Sequence, residues 1–258
     1  MPDLKVSIVQ FDIAWQNPAK NLKKIDSLLL SVERTDLIVL PEMFTTGFTM
    51  DVKTNAEKMN GPTIEWMRKV ADKKGATVAG SLIIQTDDGC YNRLVWMRPD
   101  GQVSFYDKKH LFRMAGEDEQ FSEGVSKIYP IIKGWRICPL ICYDLRFPVW
   151  SRNQNDYDAL IFIANWPAVR DNAWETLCKA RAIENLSPVI AVNRVGRDGK
   201  GIDYVGNSAV YNAKGETVVD FEKPIEGVRT ATLKYAELKT YRTKFPAYLD
   251  ADSFSIQG

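Results

Sequence analysis

Several strand-length apolar runs in this chain stop abruptly at a residue able to do chemistry. Asp36–Leu40 ends at Pro41-Glu42, Val103–Tyr106 is followed by Asp107-Lys108, and Trp135–Ile141 runs into Cys142. Further runs of the same kind are Lys5–Ile13, Thr77–Gln85, Tyr91–Met97, Ala159–Ile163, Val189–Asn193, Tyr204–Tyr211, Thr217–Asp220 and Val228–Leu233. Helical spacing separates some of them. Asn17–Glu33 carries Leu22, Ile25, Leu28 and Leu29; Gly61–Lys74 carries Ile64, Met67, Val70 and Ala71, with Pro62 near its start and Gly75 as its stop. Phe147–Arg152 opens a short helix, and Ala173–Leu186 forms a long one that Asp171 or Asn172 can cap and Pro188 closes. Asp88-Gly89 makes a hairpin turn, and Pro99-Asp100-Gly101 and Asn212-Ala213-Lys214-Gly215 turn the chain again. Helices alternating with strands, with hairpins between, predict an α/β layered domain with a mixed sheet arrangement.

The 258 residues are 45% hydrophobic and 26% charged, enough apolar material for a core. A net charge of +1 predicts no strong attraction to nucleic acid or to an anionic membrane. No apolar run approaches the length of about 18 residues that a membrane span needs. The N-terminal apolar stretch Val6-Ser7-Ile8-Val9 is too short for a signal peptide. The expectation is therefore an intracellular, cytoplasmic protein. The less regular tail, Lys239–Gly258, carries Tyr241, Phe245, Tyr248 and Phe254 and is expected to pack on something, a partner subunit included.

Cys90, Cys138, Cys142 and Cys178 form no CxxC pair and suggest reduced thiols rather than a disulfide framework. His110 is the one histidine, so any histidine-dependent scheme must use it. No metal site is expected, because the cysteines and His110 lack ligand spacing. No GxxxxGK[ST] phosphate loop appears.

Cys142 ends a buried-type strand and precedes a turn into a helix. Backbone N–H groups there can hold an oxyanion, and a helix start favours a thiolate. The bland alternative is a small buried hydrophobe. Attack on an amide needs a base, either His110 or a buried carboxylate such as Glu42, which can equally be a loop residue exposed to water. Lys108 can point into a strand-end cleft and neutralise an oxyanion, or can belong with Lys109 to a solvated face.

Together the segments resemble the nitrilase, or carbon–nitrogen hydrolase, superfamily. They are Leu40-Pro41-Glu42-Met43-Phe44, Tyr106 through Phe112, Ile141 through Pro148, Ala164-Asn165-Trp166-Pro167, and Lys179 through Asn185. The resemblance covers almost the whole chain and implies one carbon–nitrogen hydrolase domain over residues 1–258, folded as a four-layer αββα sandwich. It implies Glu42 as general base, Lys108 (two residues before His110), Cys142 as nucleophile and Glu117, rather than Glu119, as the second glutamate. The backbone N–H of Tyr143 would share the oxyanion with Lys108, and His110 would be a structural support for the lysine loop. Thr45-Thr46-Gly47-Phe48 and Phe147-Pro148-Val149-Trp150 resemble the ω-amidase branch, which implies hydrolysis of 2-oxoglutaramate or 2-oxosuccinamate. The branch also implies homodimers and no cofactor. For the substrate carboxylate the candidates are Arg113, Arg146 and Arg170, Arg146 being equally able to pair with a structural carboxylate. Phe44 and Trp166 are candidate apolar walls, Trp166 being equally able to be a core residue. Rival readings are a nitrile or carbamoylamine hydrolase, a Cys–His thiol protease, and a non-catalytic scaffold.

Overall fold

Along the first strand successive residues are buried in opposite directions. Leu4, Val6 and Ile8 join one apolar cluster, while Val9 and Phe11 join another. The next strand repeats the pattern, with Leu37 and Val39 on one side and Ile38 and Leu40 on the other. Strands covered on both faces read as nearly unbroken apolar runs, which is what the sequence shows. The computed structural model, which describes residues 1–256, builds two six-stranded sheets from such runs.

The first half of the chain runs β1 (Leu4–Gln10), α1 (Pro18–Leu29), β2 (Leu37–Val39), α2 (Val52–Asn55), α3 (Pro62–Lys74), β3 (Thr77–Gln85), β4 (Cys90–Met97), β5 (Val103–Asp107) and α4 (Glu117–Gln120). The second half runs β6 (Ile131–Ile132), β7 (Trp135–Ile141), α5 (Pro148–Ser151), β8 (Ala159–Ile163), α6 (Asp171–Glu184), β9 (Val189–Val192), β10 (Val195–Arg197), β11 (Asp203–Val205), β12 (Ala209–Tyr211), β13 (Thr217–Asp220), β14 (Gly227–Leu233) and α7 (Tyr235–Lys244). The first sheet has the order β14-β1-β2-β3-β4-β5, with β1, β2 and β3 parallel. The second has the order β13-β12-β9-β8-β7-β6, with β7, β8 and β9 parallel. The two therefore share a plan: a parallel centre extended by antiparallel hairpins.

Helices α1 and α3 cover the outer face of the first sheet through Ile25, Leu29, Ile64, Met67, Val70 and Ala71. Trp174, Cys178 and Ala182, spaced four apart along α6, bury one helical face in the cluster that also holds β7, β8 and β9. The result is the α/β, four-layer αββα arrangement. No helix among the described residues is long and apolar enough to cross a membrane.

The structure departs from expectation in three places. The run Tyr204–Tyr211 is two strands, β11 and β12, because Gly206 and Asn207 both adopt positive φ, 77° and 60°. A side chain at Gly206 would also collide with Gln10. Helix α6 takes Arg170 as its N-cap without a side-chain bond, and Asp171 instead accepts from Asn207 Nδ2 at 3.0 Å. The tail begins as a regular helix, α7, whose mostly polar surface buries only Leu238 and so gives little periodic signal. Beyond α7, Gln154 Nε2 donates to the Phe254 carbonyl at 3.1 Å, so this part of the tail lies on its own chain. Gln257 and Gly258 lie outside the described residues.

Candidate active site

Glu42, Lys108 and Cys142 each stand just past the end of a strand, and Glu117 opens the short helix α4. The chain turns sharply after β2 and after β7, and in both turns a non-glycine residue takes a left-handed conformation: Met43 at φ 42° and Cys142 at φ 46°. Such conformations cost on the order of 1–3 kcal/mol and persist where surrounding bonds hold them. Met43 is held by its N–H, which donates to Ser81 Oγ at 2.9 Å. Cys142 opens a short 3₁₀ turn, Cys142–Arg146. The first N–H groups of such a turn, Tyr143's among them, have no partner inside it.

Glu42, Lys108 and Glu117 are fully buried. Lys108 Nζ donates to Glu42 Oε1 at 2.9 Å and to Glu117 at 2.9 and 3.0 Å. Asn92 Nδ2 bridges the same two carboxylates, at 2.8 Å to Glu42 and 3.1 Å to Glu117. Glu42 also accepts from the Asn165 N–H at 2.8 Å, and Glu117 from the Phe112 N–H at 2.6 Å. Burial alone would push the Lys108 ammonium down, but Glu117 and Glu42 more than reverse this and keep it charged. Glu117 is pushed up by burial and by Glu42, against the pull of Lys108. The Cys142 thiol is raised well above its usual range, first by burial and then by Glu42, with Lys108 opposing. Burial and the Glu42 charge thus outweigh the pull towards a thiolate expected of the turn, so attack calls for a base to take the proton.

Glu42, Asn92, Lys108 and Glu117 come from the ends and loops of the first sheet, and Cys142 and Asn165 from the second. The half-buried Cys142 opens on a cavity of about 390 Å³. Phe48, Phe112, Tyr143, Trp166 and Tyr204 give it aromatic walls, and Arg146 and Arg170 bring positive charge. Arg146 stacks on Trp166 at 4.9 Å and makes no ion pair among the described residues. Trp166 is both wall and core, since it also packs on Trp174 at 5.5 Å.

Two expected substrate contacts are corrected. Phe44 is fully buried beneath the first sheet's helices, its ring 5.9 Å from Trp66, and does not line the cavity; Phe48, four residues on, does. Arg113 points to water, 86% exposed, and pairs with Asp118 at 3.1 Å. His110 has the supporting place foreseen for it. Its Nδ1 lies 2.7 Å from Asp144, and its ring stacks on Phe147 at 3.8 Å.

Sequence reasoning missed Asn92, Asn165, Phe48 and the β10–β11 hairpin, which supplies Asp198 and Tyr204 to the cavity. Asn92 carried a signal. It shares a strand face with Leu94 and Trp96, and a lone asparagine among core residues needs buried partners. The hairpin carried none, because Tyr204 read as part of one long strand.

The chain matches the carbon-nitrogen hydrolase family over residues 5–243. It is 44% identical over 256 residues to the omega-amidase YafV of Escherichia coli (strain K12), covering 99% of this chain and 100% of that protein. It is 32% identical over 251 residues to a 2-oxoglutaramate amidase of Bacillus subtilis (strain 168), covering 95% and 96%. Among solved structures it superposes on a CN-hydrolase superfamily protein of Xanthomonas campestris that carries an arsenic adduct in its active site. The TM-score is 0.97, with 44% identity and full coverage of both chains.

Proposed function

Because the chain belongs to the carbon–nitrogen hydrolase family, we propose that it cleaves the terminal amide of a small 2-oxo acid amide, 2-oxoglutaramate or 2-oxosuccinamate, through a thioester on Cys142. It is an amidohydrolase of the nitrilase superfamily. The observation that carries the finer reading is the Lys108 ammonium held between Glu42 and Glu117, with Cys142 beside them on the wall of a cavity that also presents an unpaired arginine, Arg146. The 2-oxo acid amide is supported by the activities named for the relatives in E. coli and B. subtilis.

Glu42 takes the Cys142 proton as sulfur bonds to the amide carbon, and the carbonyl π pair moves onto oxygen. That oxygen is held by Lys108 and by the Tyr143 N–H. An ammonium has three donors. Lys108 makes one bond to Glu42 and two to the Glu117 carboxylate, and letting one N–H serve both Glu117 oxygens releases a donor for the substrate oxygen. Glu42 then gives its proton to nitrogen, the C–N bond breaks and ammonia leaves. Water loses a proton to Glu42 and attacks the thioester; the C–S bond breaks and the thiol regains its proton. Glu117 holds Lys108 in place and charged throughout. Arg146, stacked on Trp166, takes the substrate carboxylate as a charge-assisted pair, and Arg170 adds positive field at the cavity.

We assign the protein to the cytoplasm as a homodimer. Four free cysteines suit a reducing compartment, and Phe245, Tyr248 and Leu249 leave apolar surface on the tail for a second copy. The test of the reaction is ammonia release from 2-oxoglutaramate and 2-oxosuccinamate, compared with glutamine and a simple nitrile. The 2-oxo amides should be turned over fastest, and Cys142→Ala should stop release. Release that survives Cys142→Ala, or turnover of the nitrile alone, overturns the assignment.

A further inference from the structure

Asp144 is fully buried, and no lysine or arginine pairs with it among the described residues; its one charged-type neighbour is His110. Its carboxylate is nevertheless saturated. Oδ2 accepts the Ile141 N–H at 3.0 Å and the Tyr106 O–H at 2.7 Å, while Oδ1 accepts the His110 N–H at 3.0 Å and lies 2.7 Å from His110 Nδ1. Ile141 immediately precedes Cys142. Tyr106 and His110 stand two residues to either side of Lys108. One carboxylate thus grips the approach to the nucleophile and both flanks of the lysine, from opposite sheets.

Among the described residues, every hydrogen bond between the segments 106–112 and 141–147 ends on Asp144. Ring contacts also join them, His110 on Phe147 and Phe112 against Tyr143. The clasp is itself braced. Trp150 Nε1 donates to the Tyr106 hydroxyl at 3.0 Å, and Arg181 of α6 donates to the Leu145 carbonyl at 2.7 Å. Among the described residues, the Lys108 side chain hydrogen-bonds only to Glu42 and Glu117, both of the first sheet, whereas Cys142 rides on the second. Rings can slide; a carboxyl group gripped at four points cannot move without breaking bonds.

We propose that Asp144 is a positioning residue that sets the distance between the Lys108 ammonium and the Cys142 sulfur. The proposal rests on Lys108 and Cys142 acting on one carbonyl group. An error of about 1 Å in such a register costs about 10²-fold in rate. In Asp144→Asn, one of the two carboxylate oxygens becomes an amide nitrogen that cannot accept, so the clasp loses its bonds on one side, to Ile141 and Tyr106 or to His110, while side-chain shape is kept. Tyr106→Phe removes one of the four bonds to Asp144, together with the acceptor that Trp150 Nε1 and the Lys109 N–H share.

The test compares alkylation of Cys142 by iodoacetamide, whose carbonyl Lys108 can hold, with its modification by methyl methanethiosulfonate, which has no carbonyl. The ratio of the two rates needs no turnover. It should fall about tenfold or more in Asp144→Asn and by a smaller factor in Tyr106→Phe, with kcat falling and KM nearly unchanged. A ratio equal to wild type in folded variants, even with a lowered melting temperature, overturns the proposal and leaves Asp144 a stability element. If Asp144→Asn does not fold, Tyr106→Phe decides alone. A wild-type protein that releases no ammonia from either 2-oxo amide defeats the assigned reaction separately, because the ratio can still be measured.

Discussion

Asn165 holds Glu42 at two points: its backbone N–H donates to Glu42 Oε2 at 2.8 Å, and its Nδ2 donates to the Glu42 carbonyl at 2.6 Å. A residue two positions past β8 of one sheet thereby fixes the base that follows β2 of the other. Asn165 Oδ1 is buried without a protein partner, and the residue lines the cavity. The N–H of a bound amide can supply the donor it lacks. Asn165→Ala should therefore slow amide hydrolysis more than hydrolysis of the ethyl ester of the same acid, which has no N–H to lose. Leaving the Glu42 carbonyl unpaired should also cost about 1–3 kcal/mol of stability. Parallel kinetics on the two substrates check the first point and urea melts the second; equal losses on amide and ester would count against this use of Oδ1.

The Cys142 thiol is raised by burial and by the Glu42 charge, while Lys108 pulls it down. Glu42→Gln deletes one raising cause and keeps the lowering one. The pH midpoint of Cys142 alkylation should therefore move down in this variant, although amide turnover is lost with the base. Alkylation rates measured from pH 6 to pH 10 check the direction. A midpoint that stays or rises would mean that Glu42 does not face the sulfur.

Lys108→Met should abolish turnover and destabilise the fold by about 3–5 kcal/mol at neutral pH, because two buried carboxylates lose their counter-charge. The loss should be smaller in mild acid. Glu117 is already raised above its ordinary 4.5, and removing the ammonium takes away the influence that lowers it. A folded-state group raised in this way binds its proton before the unfolded chain does. Stability of the variant, relative to wild type, therefore recovers as pH falls through the raised value towards 4.5. Urea denaturation of both proteins at pH 7 and pH 5 reads the difference.

Arg146 and Arg113 make a matched pair for testing substrate recognition. Arg146→Leu should raise KM for 2-oxoglutaramate by about tenfold or more, the scale of one lost charge-assisted bond, and should change KM for a neutral amide little. Arg113→Leu, 86% exposed and paired only with Asp118, should change neither. Steady-state kinetics on an anionic and a neutral amide decide between them.

The sheet strands and the buried stripe of α3 were legible because alternation and helical spacing act locally. Ile64, Met67, Val70 and Ala71 are the buried apolar face that their spacing implied. The strand-end chemistry was legible for a related reason: a charge or thiol closing a core strand has few places to go. The Phe44 assignment failed because adjacency to Glu42 does not give direction. The left-handed turn at Met43 sends Phe44 into the helix side of the sheet. Arg113 failed likewise, since a polar loop gives no periodicity from which to read which side meets water. Asn165 stood inside a quoted motif, yet its bonds to Glu42 span 123 residues, a relation that no local pattern contains.

Because the base and the lysine ride on one slab of the sandwich and the sulfur on the other, catalysis doubles as a gauge of how firmly the slabs are pressed together. Slippage too slight to disturb any strand or helix is enough to part the reactants. Under rising urea, ammonia release should therefore vanish while circular dichroism still reports an intact protein, and the gap between the two curves measures the play in the interior.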